Sequence, residues 1–247
     1  MKWDAVIGGV ALAALVSMPV SMPASAADMT PIGRAIPATS GYIPAQFLWT
    51  GFYIGAGIGG AWGTATFTDP LNGGVGSPSL KGFLVGGVTG INYQVGSVVL
   101  GVEGDFTGTW AKGSVVDTPV AAAPPPAGPD TLTTNVFWTA SITGRLGWAF
   151  DRLLVYGKGG AGFAYDRDTI TTVAGAPTGA TTYRAAWTVG GGMEYAITEH
   201  WTGRLEYDYF RFPVKGLFFT GPAAPGPVGG SVGFNLNEIK VIMAYKF

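Results

Sequence analysis

Residues 238–247 read Glu-Ile-Lys-Val-Ile-Met-Ala-Tyr-Lys-Phe, and this stretch decides the class of fold. Side chains of an extended strand point alternately to its two faces, so every second residue shares a face. One face of the stretch carries the charges of Glu238, Lys240 and Lys246, and the other is wholly apolar. Such alternation predicts a β-strand with one apolar face. The apolar face consists of Ile239, Val241, Met243, Tyr245 and Phe247.

The same period of two recurs along the chain. Eight segments follow it, at 50–63, 81–94, 97–111, 134–150, 153–166, 183–196, 201–212 and 233–247. Short connections near Gly96, Asp151 and His200 alternate with long ones, at 64–80, 112–133, 167–182 and 213–232. Outer-membrane barrels have an even number of antiparallel strands, short periplasmic turns and longer extracellular loops. The pattern therefore predicts an all-β fold, an eight-stranded antiparallel transmembrane β-barrel over 49–247. We expect it in the cell outer membrane, with the N- and C-termini in the periplasm.

The composition agrees with strands that cross a membrane. Only 12% of the residues are charged, about half the share in a soluble domain. After residue 27 no apolar run reaches the length of about 18 residues that a transmembrane helix needs. A net charge of −1 offers no basic surface for nucleic acid. The absence of cysteine excludes a disulfide scaffold, a cysteine-ligated zinc site and a thiol nucleophile.

The first 26 residues have the pattern of a signal peptide. Lys2 precedes an apolar stretch at 6–20, and residues 24–26 are the small residues Ala-Ser-Ala. This order predicts cleavage between Ala26 and Ala27; an N-terminal helix that is retained is the alternative. Residues 27–48 hold three prolines and no alternation, which predicts a flexible periplasmic segment.

The tryptophans are spaced like the aromatic girdles of a membrane barrel. Trp138 and Trp148 share a strand face ten residues apart, and Phe52 and Trp62 repeat that spacing. At roughly 3.3 Å per residue and a tilt of about 40°, ten residues span about 25 Å, the height of the apolar band. We therefore expect two girdles rather than a tryptophan core. The periplasmic girdle would hold Trp49, Trp148 and Trp201, and the outer girdle Trp62, Trp110, Trp138 and Trp187.

The inward faces of the predicted strands collect six acids and five bases. Eight strands enclose an interior that side chains fill, and an uncompensated charge there costs several kcal/mol. Near-balance of sign therefore predicts an ion-pair network that plugs the barrel. A polar path for ions or small solutes is the alternative. The predicted network consists of Glu103, Asp105, Arg145, Lys158, Arg184, Glu194, Arg204, Glu206, Asp208, Glu238 and Lys240.

Residues that could support catalysis are scarce. The one histidine, His200, falls in a predicted periplasmic turn, far from any serine or acid at the outer rim. Glu206 and Asp208 share a face with Arg204, which favours ion pairing over a raised carboxyl pKa. We expect no catalytic residue, no cofactor and no metal site. The loop segments 121–129 and 221–230, rich in Ala, Pro and Gly, predict extended or mobile chain rather than a pocket.

Several stretches resemble a known family in order along the chain. Residues 49–55 read Trp-Thr-Gly-Phe-Tyr-Ile-Gly, and 144–150 read Gly-Arg-Leu-Gly-Trp-Ala-Phe. With 90–94, 100–106 and 205–207, they resemble the strands of the outer membrane immunogenic proteins, small porin-like barrels of alphaproteobacteria. The resemblance covers 49–247 and implies an eight-stranded outer-membrane barrel. It implies no settled activity, since members are described as structural, porin-like or antigenic.

The sequence departs from the family pattern in two places, at 209–213 and at Met243-Ala244, and both could alter the chemistry of the rim. The terminal apolar face resembles the signal that the barrel-assembly machinery reads. We therefore expect that machinery and periplasmic chaperones as partners during biogenesis, with outer-membrane lipids and lipopolysaccharide afterwards. The predicted function is a monomeric, non-enzymatic barrel that supports envelope integrity and presents loops at the surface. A narrow porin is the first alternative, and an outer-membrane enzyme is the second.

Overall fold

The computed structural model describes residues 47–69, 71, 73–117, 129–172, 175, 177–222 and 224–247, with the backbone alone at 224–228. The predicted signal peptide at 1–26, its cleavage site at Ala26 and Ala27, and most of the predicted flexible segment lie outside these residues. Most of the loop segment 121–129 lies outside them too. Among the described residues, no helix is long and apolar enough to cross a membrane.

The described chain forms nine antiparallel strands in one sheet. They are β1 (Gly51–Thr68), β2 (Val75–Gly76), β3 (Ser79–Val95), β4 (Val98–Val116), β5 (Thr131–Phe150), β6 (Leu153–Thr171), β7 (Pro177–Ala196), β8 (Trp201–Gly221) and β9 (Ala224–Lys246). Each long strand pairs with the next long strand, and β1 pairs with β9, so the eight long strands close into a ring. The two-residue β2 pairs only with the end of β1. The predicted all-β, eight-stranded barrel is confirmed, with β2 as an addition.

The two ends of the barrel differ in their connections. At one end, which we call the turn end, two-residue turns follow β3 and β5, and residues 197–200 follow β7, where the sequence predicts them. Gly96 and Asp151 begin the two-residue turns with φ of 60° and 54°, the left-handed conformation that such hairpins require. Phe247 also lies at this end and donates its backbone N–H to the carbonyl of Phe52 (2.9 Å). The other four connections lie at the opposite end, the loop end; three of them are longer, whereas only residues 222–223 separate β8 from β9.

The strands continue further towards the loop end than the sequence predicts. The connection expected at 213–232 is mostly strand, and the described residues 224–230 belong to β9 rather than to mobile chain. The cause is that inward burial resumes after the exposed residues 213–216: Leu217 and Phe219 are buried in one cluster with Phe67. These apolar contacts hold the hairpin together past the end of the predicted strands.

A break in the β8–β9 ladder accommodates a proline. The register shifts between Phe212 and Lys215, around Pro213, which has no N–H to donate to the ladder. Such a bulge leaves the extra residue unpaired and lets the strand continue. Pro213 therefore does not end β8, although prolines often end strands.

Apolar and charged layers alternate inside the barrel. One buried inward residue of β6 represents each layer. From the turn end, these residues are Leu154, Lys158, Ala164, Asp168 and Ile170. Leu154 belongs to the turn-end cluster, which consists of Phe47, Trp49, Val99, Ala149, Leu154, Tyr156 and Ala196. Ala164 belongs to the central apolar layer, whose large members are Leu80, Leu84, Phe210, Phe212, Phe234 and Leu236. Ile170 belongs to a third cluster, at the loop end.

The outward side chains have the reverse character. In the middle of the strands, Ile58, Ile142 and Val241 are apolar and more than 60% exposed. A soluble protein would bury such residues, whereas a barrel in a membrane places them against lipid tails.

Candidate functional site

The candidate site is the charged interior of the barrel. All eleven side chains of the predicted network are buried, each with 5% or less of its surface exposed. They occupy inward positions because each strand keeps its period of two through the middle of the barrel. The structure divides them into two separate groups.

The first group, which we call the central network, joins ten residues across the lumen. Arg204 on β8 contacts three carboxylates: its Nη1 lies 2.5 Å from Glu103 Oε2 and 3.4 Å from Glu206 Oε2, and its Nη2 lies 3.2 Å from Glu194 Oε2. Arg145 Nη2 lies 2.5 Å from the same Glu194 oxygen. Two guanidinium groups therefore share one acid. The ten members are Glu103, Asp105, Arg145, Lys158, Glu194, Arg204, Glu206, Asp208, Glu238 and Lys240.

Two lysines continue the network. The Nζ of Lys158 lies 2.7 Å from Glu206 Oε1 and 3.1 Å from Asp208 Oδ1. The Nζ of Lys240 lies 2.7 Å from Asp208 Oδ2 and 3.0 Å from Asp105 Oδ2. The ammonium groups thus bridge strands that are not neighbours in the sheet, since Asp105 lies on β4 and Lys240 on β9. Glu238 is held at the edge of the network, 3.7 Å from Lys240 and hydrogen-bonded by Thr139 (2.9 Å).

Tyrosine hydroxyl groups complete the network, and the sequence analysis did not predict these contacts. Tyr53 donates its hydroxyl to Glu103 (2.7 Å), and Tyr156 donates its hydroxyl to Glu206 (2.5 Å). The guanidinium of Arg145 lies over the Tyr156 ring, 3.6 Å from its centroid. Both tyrosines occupy inward-facing positions of the alternating pattern on their strands. This pattern could have identified them as members of the network.

The second group, the loop-end charge cluster, consists of Arg184, Asp166 and Asp168. Arg184 Nε lies 2.9 Å from Asp166 and its Nη2 lies 2.9 Å from Asp168. Arg184 also donates to the carbonyl of Val232 (2.6 Å), and Thr134 donates to Asp168 (2.7 Å). Arg184 was expected in the same network as the other ten residues; it lies apart from them because the central apolar layer intervenes.

The two additional aspartates change the charge balance. Asp166 is the last residue of the predicted segment and was not included in the predicted network, and Asp168 lies beyond that segment, because β6 continues to Thr171. The buried strand residues therefore comprise eight acids and five bases, and not the six and five expected. Formally, the interior carries an excess of three negative charges when every group is ionised.

The prediction that Trp49 belongs to the periplasmic girdle is wrong. Its surface is only 1% exposed, and it packs inside the turn end against Phe47 (ring centroids 4.8 Å apart). Its backbone N–H donates to the side chain of Gln94 (2.7 Å), and its indole N–H donates to the carbonyl of Asp151 (3.0 Å). Trp49 precedes the first strand, so the alternation could not assign it to a face. It closes the barrel at the turn end and does not contact lipid.

The other six predicted girdle tryptophans all lie on outward faces. Trp148 and Trp201 lie near the turn end, and Trp62, Trp110, Trp138 and Trp187 lie near the loop end. The terminal apolar face, formed by Ile239, Val241, Met243, Tyr245 and Phe247, also points outwards. His200 is exposed in the last turn, with its ring 5.5 Å from that of Tyr245.

The interior of the described barrel leaves little free space beside the central network. A void of about 10 Å³ lies between Gly57, Gly86, Asp105 and Lys240, which is room for roughly one water molecule. The described residues contain no group of three or more His, Cys, Asp or Glu side chains that could hold a metal ion. The buried carboxylates are arranged around cations of the protein itself.

Comparisons with known proteins agree with this geometry. A family model described as "Outer membrane protein beta-barrel domain" matches residues 11–247. The chain is similar to the 31 kDa outer-membrane immunogenic protein of Brucella melitensis, at 36% identity over 66% of this chain and 71% of that one. It is 27% identical to the 25 kDa outer-membrane immunogenic protein of Brucella canis, over 93% of both chains.

Among solved structures, the outer membrane protease OmpT from Escherichia coli is similar, with a TM-score of 0.52 at 8% identity, over 81% of this chain and 98% of that one. That likeness shows the fold alone. The closed ring of eight long strands, the outward apolar faces and the match over nearly the whole length lead to one conclusion: this chain belongs to the outer membrane protein beta-barrel domain family.

Proposed function

We propose that this protein is a non-enzymatic structural barrel of the outer membrane whose interior is closed to solutes. The observation that carries the proposal is the central network, buried between the turn-end cluster and the central apolar layer. A solute path would have to break ion pairs such as Arg204–Glu103 in an interior of low dielectric, where an uncompensated charge costs several kcal/mol. It would also have to pass the stacked rings of Phe212 and Phe234 (4.4 Å).

In the proposed orientation, the turn end and both termini face the periplasm, and the loop end faces the exterior. Short periplasmic turns and longer external loops are the general rule for such barrels. The names of the Brucella relatives describe immunogenic outer-membrane proteins, which supports exposure of the loop end at the cell surface. The barrel would act as a monomer, assembled by the barrel-assembly machinery with periplasmic chaperones, and would stabilise the envelope.

Planar-bilayer conductance tests closure directly. We expect the parent protein to give no discrete conductance steps, and Arg204→Ala and Glu206→Ala to raise leakage, because each leaves buried charges with fewer partners. Arg152→Ala is the matched control, because Arg152 pairs with Glu199 in an exposed turn (2.8 Å) and should leave the parent's behaviour unchanged. Reproducible, ion-selective steps from the parent protein would overturn the closed-barrel proposal.

A narrow cation path is the second candidate, and the excess of acids in the lumen favours it. Eight buried acids against five bases would attract cations and repel anions. In that case the parent would conduct, and Glu206→Ala would reduce its preference for cations without abolishing conductance. An outer-membrane enzyme has less support, because His200, the single histidine of the sequence, is exposed in a turn at the turn end, apart from the buried charges of the lumen.

A further inference from the structure

The accessible charges of the described barrel are unevenly distributed: the exposed acids lie at the turn end together with Arg152 and Lys246, and the other cations lie near the loop end. The strands near the loop end carry five exposed cations on their outward faces: Lys81, Lys112, Arg167, Arg211 and Lys215. The only exposed acids of the described residues, Asp151 and Glu199, lie in turns at the opposite end. Every other acid in the described part of the chain is buried. The loop end therefore presents a cationic belt with no exposed carboxylate beside it.

The belt is built on aromatic pairs, and the β3–β4 pair has the closest contact. Phe83 and Trp110 stack on the outward face, with ring centroids 4.3 Å apart and an interplanar angle of 1°. One pleat nearer the loop end, Lys81 and Lys112 are direct register partners. Like charges placed directly opposite each other destabilise a sheet. No described carboxylate lies within ion-pair distance of either lysine, so an external anion between them would remove the repulsion.

The same arrangement, an outward aromatic pair with a cation nearer the loop end, recurs on β6 and β7. Tyr165 and Tyr183 lie 4.8 Å apart between ring centroids, and Arg167 follows Tyr165 by one pleat towards the loop end. Lys215 of β8 lies beside this pair, with its Nζ donating to the carbonyl of Tyr183 (3.0 Å) and to the hydroxyl of Thr182 (3.2 Å). These hydrogen bonds hold the ammonium group in place; the described residues give it no ion pair within 4.0 Å, and the buried Asp166, the register partner of Thr182, attracts it from further away.

A similar arrangement occurs on β7 and β8. Trp187 and Tyr209 lie 5.5 Å apart between ring centroids. Arg211 is the register partner of Trp187 and lies one pleat beyond Tyr209. In the first two cases an outward cation lies beyond the aromatic pair towards the loop end, and in the third it lies beyond Tyr209 and level with Trp187. Aromatic rings of this kind settle at the level of lipid headgroups, so the cations stand where headgroup phosphates lie.

We propose that this cationic belt binds the phosphate groups of a phosphorylated glycolipid of the outer leaflet, of the lipid A type. Arginine and lysine form charge-assisted hydrogen bonds with phosphate, and arginine can do so with two parallel bonds. The paired Lys81 and Lys112 offer one phosphate two cations, and the aromatic pairs below offer contact to the sugar edge and upper acyl chains. The inference rests on the proposed function only in placing the loop end at the outer leaflet.

The test measures lipid binding in detergent, where neither orientation in a membrane nor conductance plays a part. The purified protein is titrated with bisphosphorylated lipid A and with the same lipid after removal of both phosphates. The readout is the fluorescence of the outward tryptophans. The parent should bind the phosphorylated lipid at least about tenfold more tightly, a difference of roughly 1.4 kcal/mol. The variant Lys81→Gln/Lys112→Gln/Arg211→Gln/Lys215→Gln should lose that preference.

Arg152→Gln/Lys246→Gln is the matched control, because it removes two cations from the turn end and should keep the preference. Heat-modifiable gel mobility verifies that each variant is folded before it is titrated. Equal binding of both lipids by the parent, an undiminished preference in the fourfold variant, or the same loss in the control would each overturn the proposal. Competitive displacement by inorganic phosphate at matched ionic strength would also overturn it, because the belt would then be a site for the free anion.

Discussion

The central network and the loop-end charge cluster solve the same problem of buried charge in different ways. In the central network, four bases share six acids, and contacts such as Arg204–Glu103 join β8 to β4 across the lumen. In the loop-end cluster, the single base Arg184 pairs with Asp166 and Asp168 on the neighbouring β6, and it reaches β9 through a hydrogen bond to the backbone carbonyl of Val232. The ion pairs of the first group tie together strands that the sheet does not pair. The ion pairs of the second join only strands that the sheet already pairs.

The comparison predicts the largest loss of stability for Arg204→Ala. The substitution leaves Glu103 and Glu194 buried with fewer cations, and we expect the free energy of unfolding to fall by about 3–5 kcal/mol. Urea unfolding of the barrel in phospholipid vesicles, followed by tryptophan fluorescence, measures this change. The exposed Arg152→Ala variant should lose less than about 1 kcal/mol. Similar losses in both variants would contradict a special role for the central network.

A smaller loss is expected for Arg184→Ala, about 2–3 kcal/mol in the same assay. Thr134 still donates to Asp168 when the arginine is gone, and the ion pairs that are lost join only the neighbouring strands β6 and β7. Adding Asp168→Asn to Arg184→Ala should restore part of the loss, because one unpaired carboxylate is then removed. A loss as large as that of Arg204→Ala, or no recovery in the double variant, would argue against the distinction between the two groups.

The smallest effect should come from Tyr53→Phe, which removes one hydroxyl that donates to Glu103 while every ion pair remains. We expect a loss of about 1 kcal/mol, the usual contribution of a buried hydrogen bond. The outward Tyr93→Phe, at a position 64% exposed, is the control and should change stability by less than about 0.5 kcal/mol. If both substitutions changed the free energy of unfolding equally, the hydroxyl of Tyr53 would not contribute to the stability of the central network.

The middle of the barrel was predictable because one rule governs it. Period-two alternation placed each of the eleven charged residues on an inward position, and the short turns fixed the direction of every strand. The same rule would have found Tyr53 and Tyr156, had inward polar groups other than charges been considered. What the sequence could not give is which charges meet, because the contact between Glu103 and Arg204 depends on how a ring of strands closes.

The ends of the barrel were harder to predict. Asp168 was missed because β6 continues past the apolar band, where Arg167 is outward and the alternation no longer separates apolar from polar residues. Asp166 ends the predicted segment, and its inward parity, the same as that of Lys158, was overlooked. The prediction of a long loop after Phe212 was wrong for a similar reason, because Pro213 and the glycines around it have the composition of a loop. Trp49 lies before the first strand, and its burial comes from hydrogen bonds to Gln94 and Asp151, residues remote in the chain.

The pairing of β1 with β9 has a consequence for how the barrel comes into being. This ladder runs from Tyr53 opposite Lys246 to Thr68 opposite Ser231, so it joins strands from opposite ends of the described chain. Contacts so distant in sequence form slowly, because the entropy of closing a long loop comes first. Until they form, β1 and β9 are open edges that could pair with another molecule. The formation of this seam is thus the step at which a nascent barrel is most exposed to aggregation.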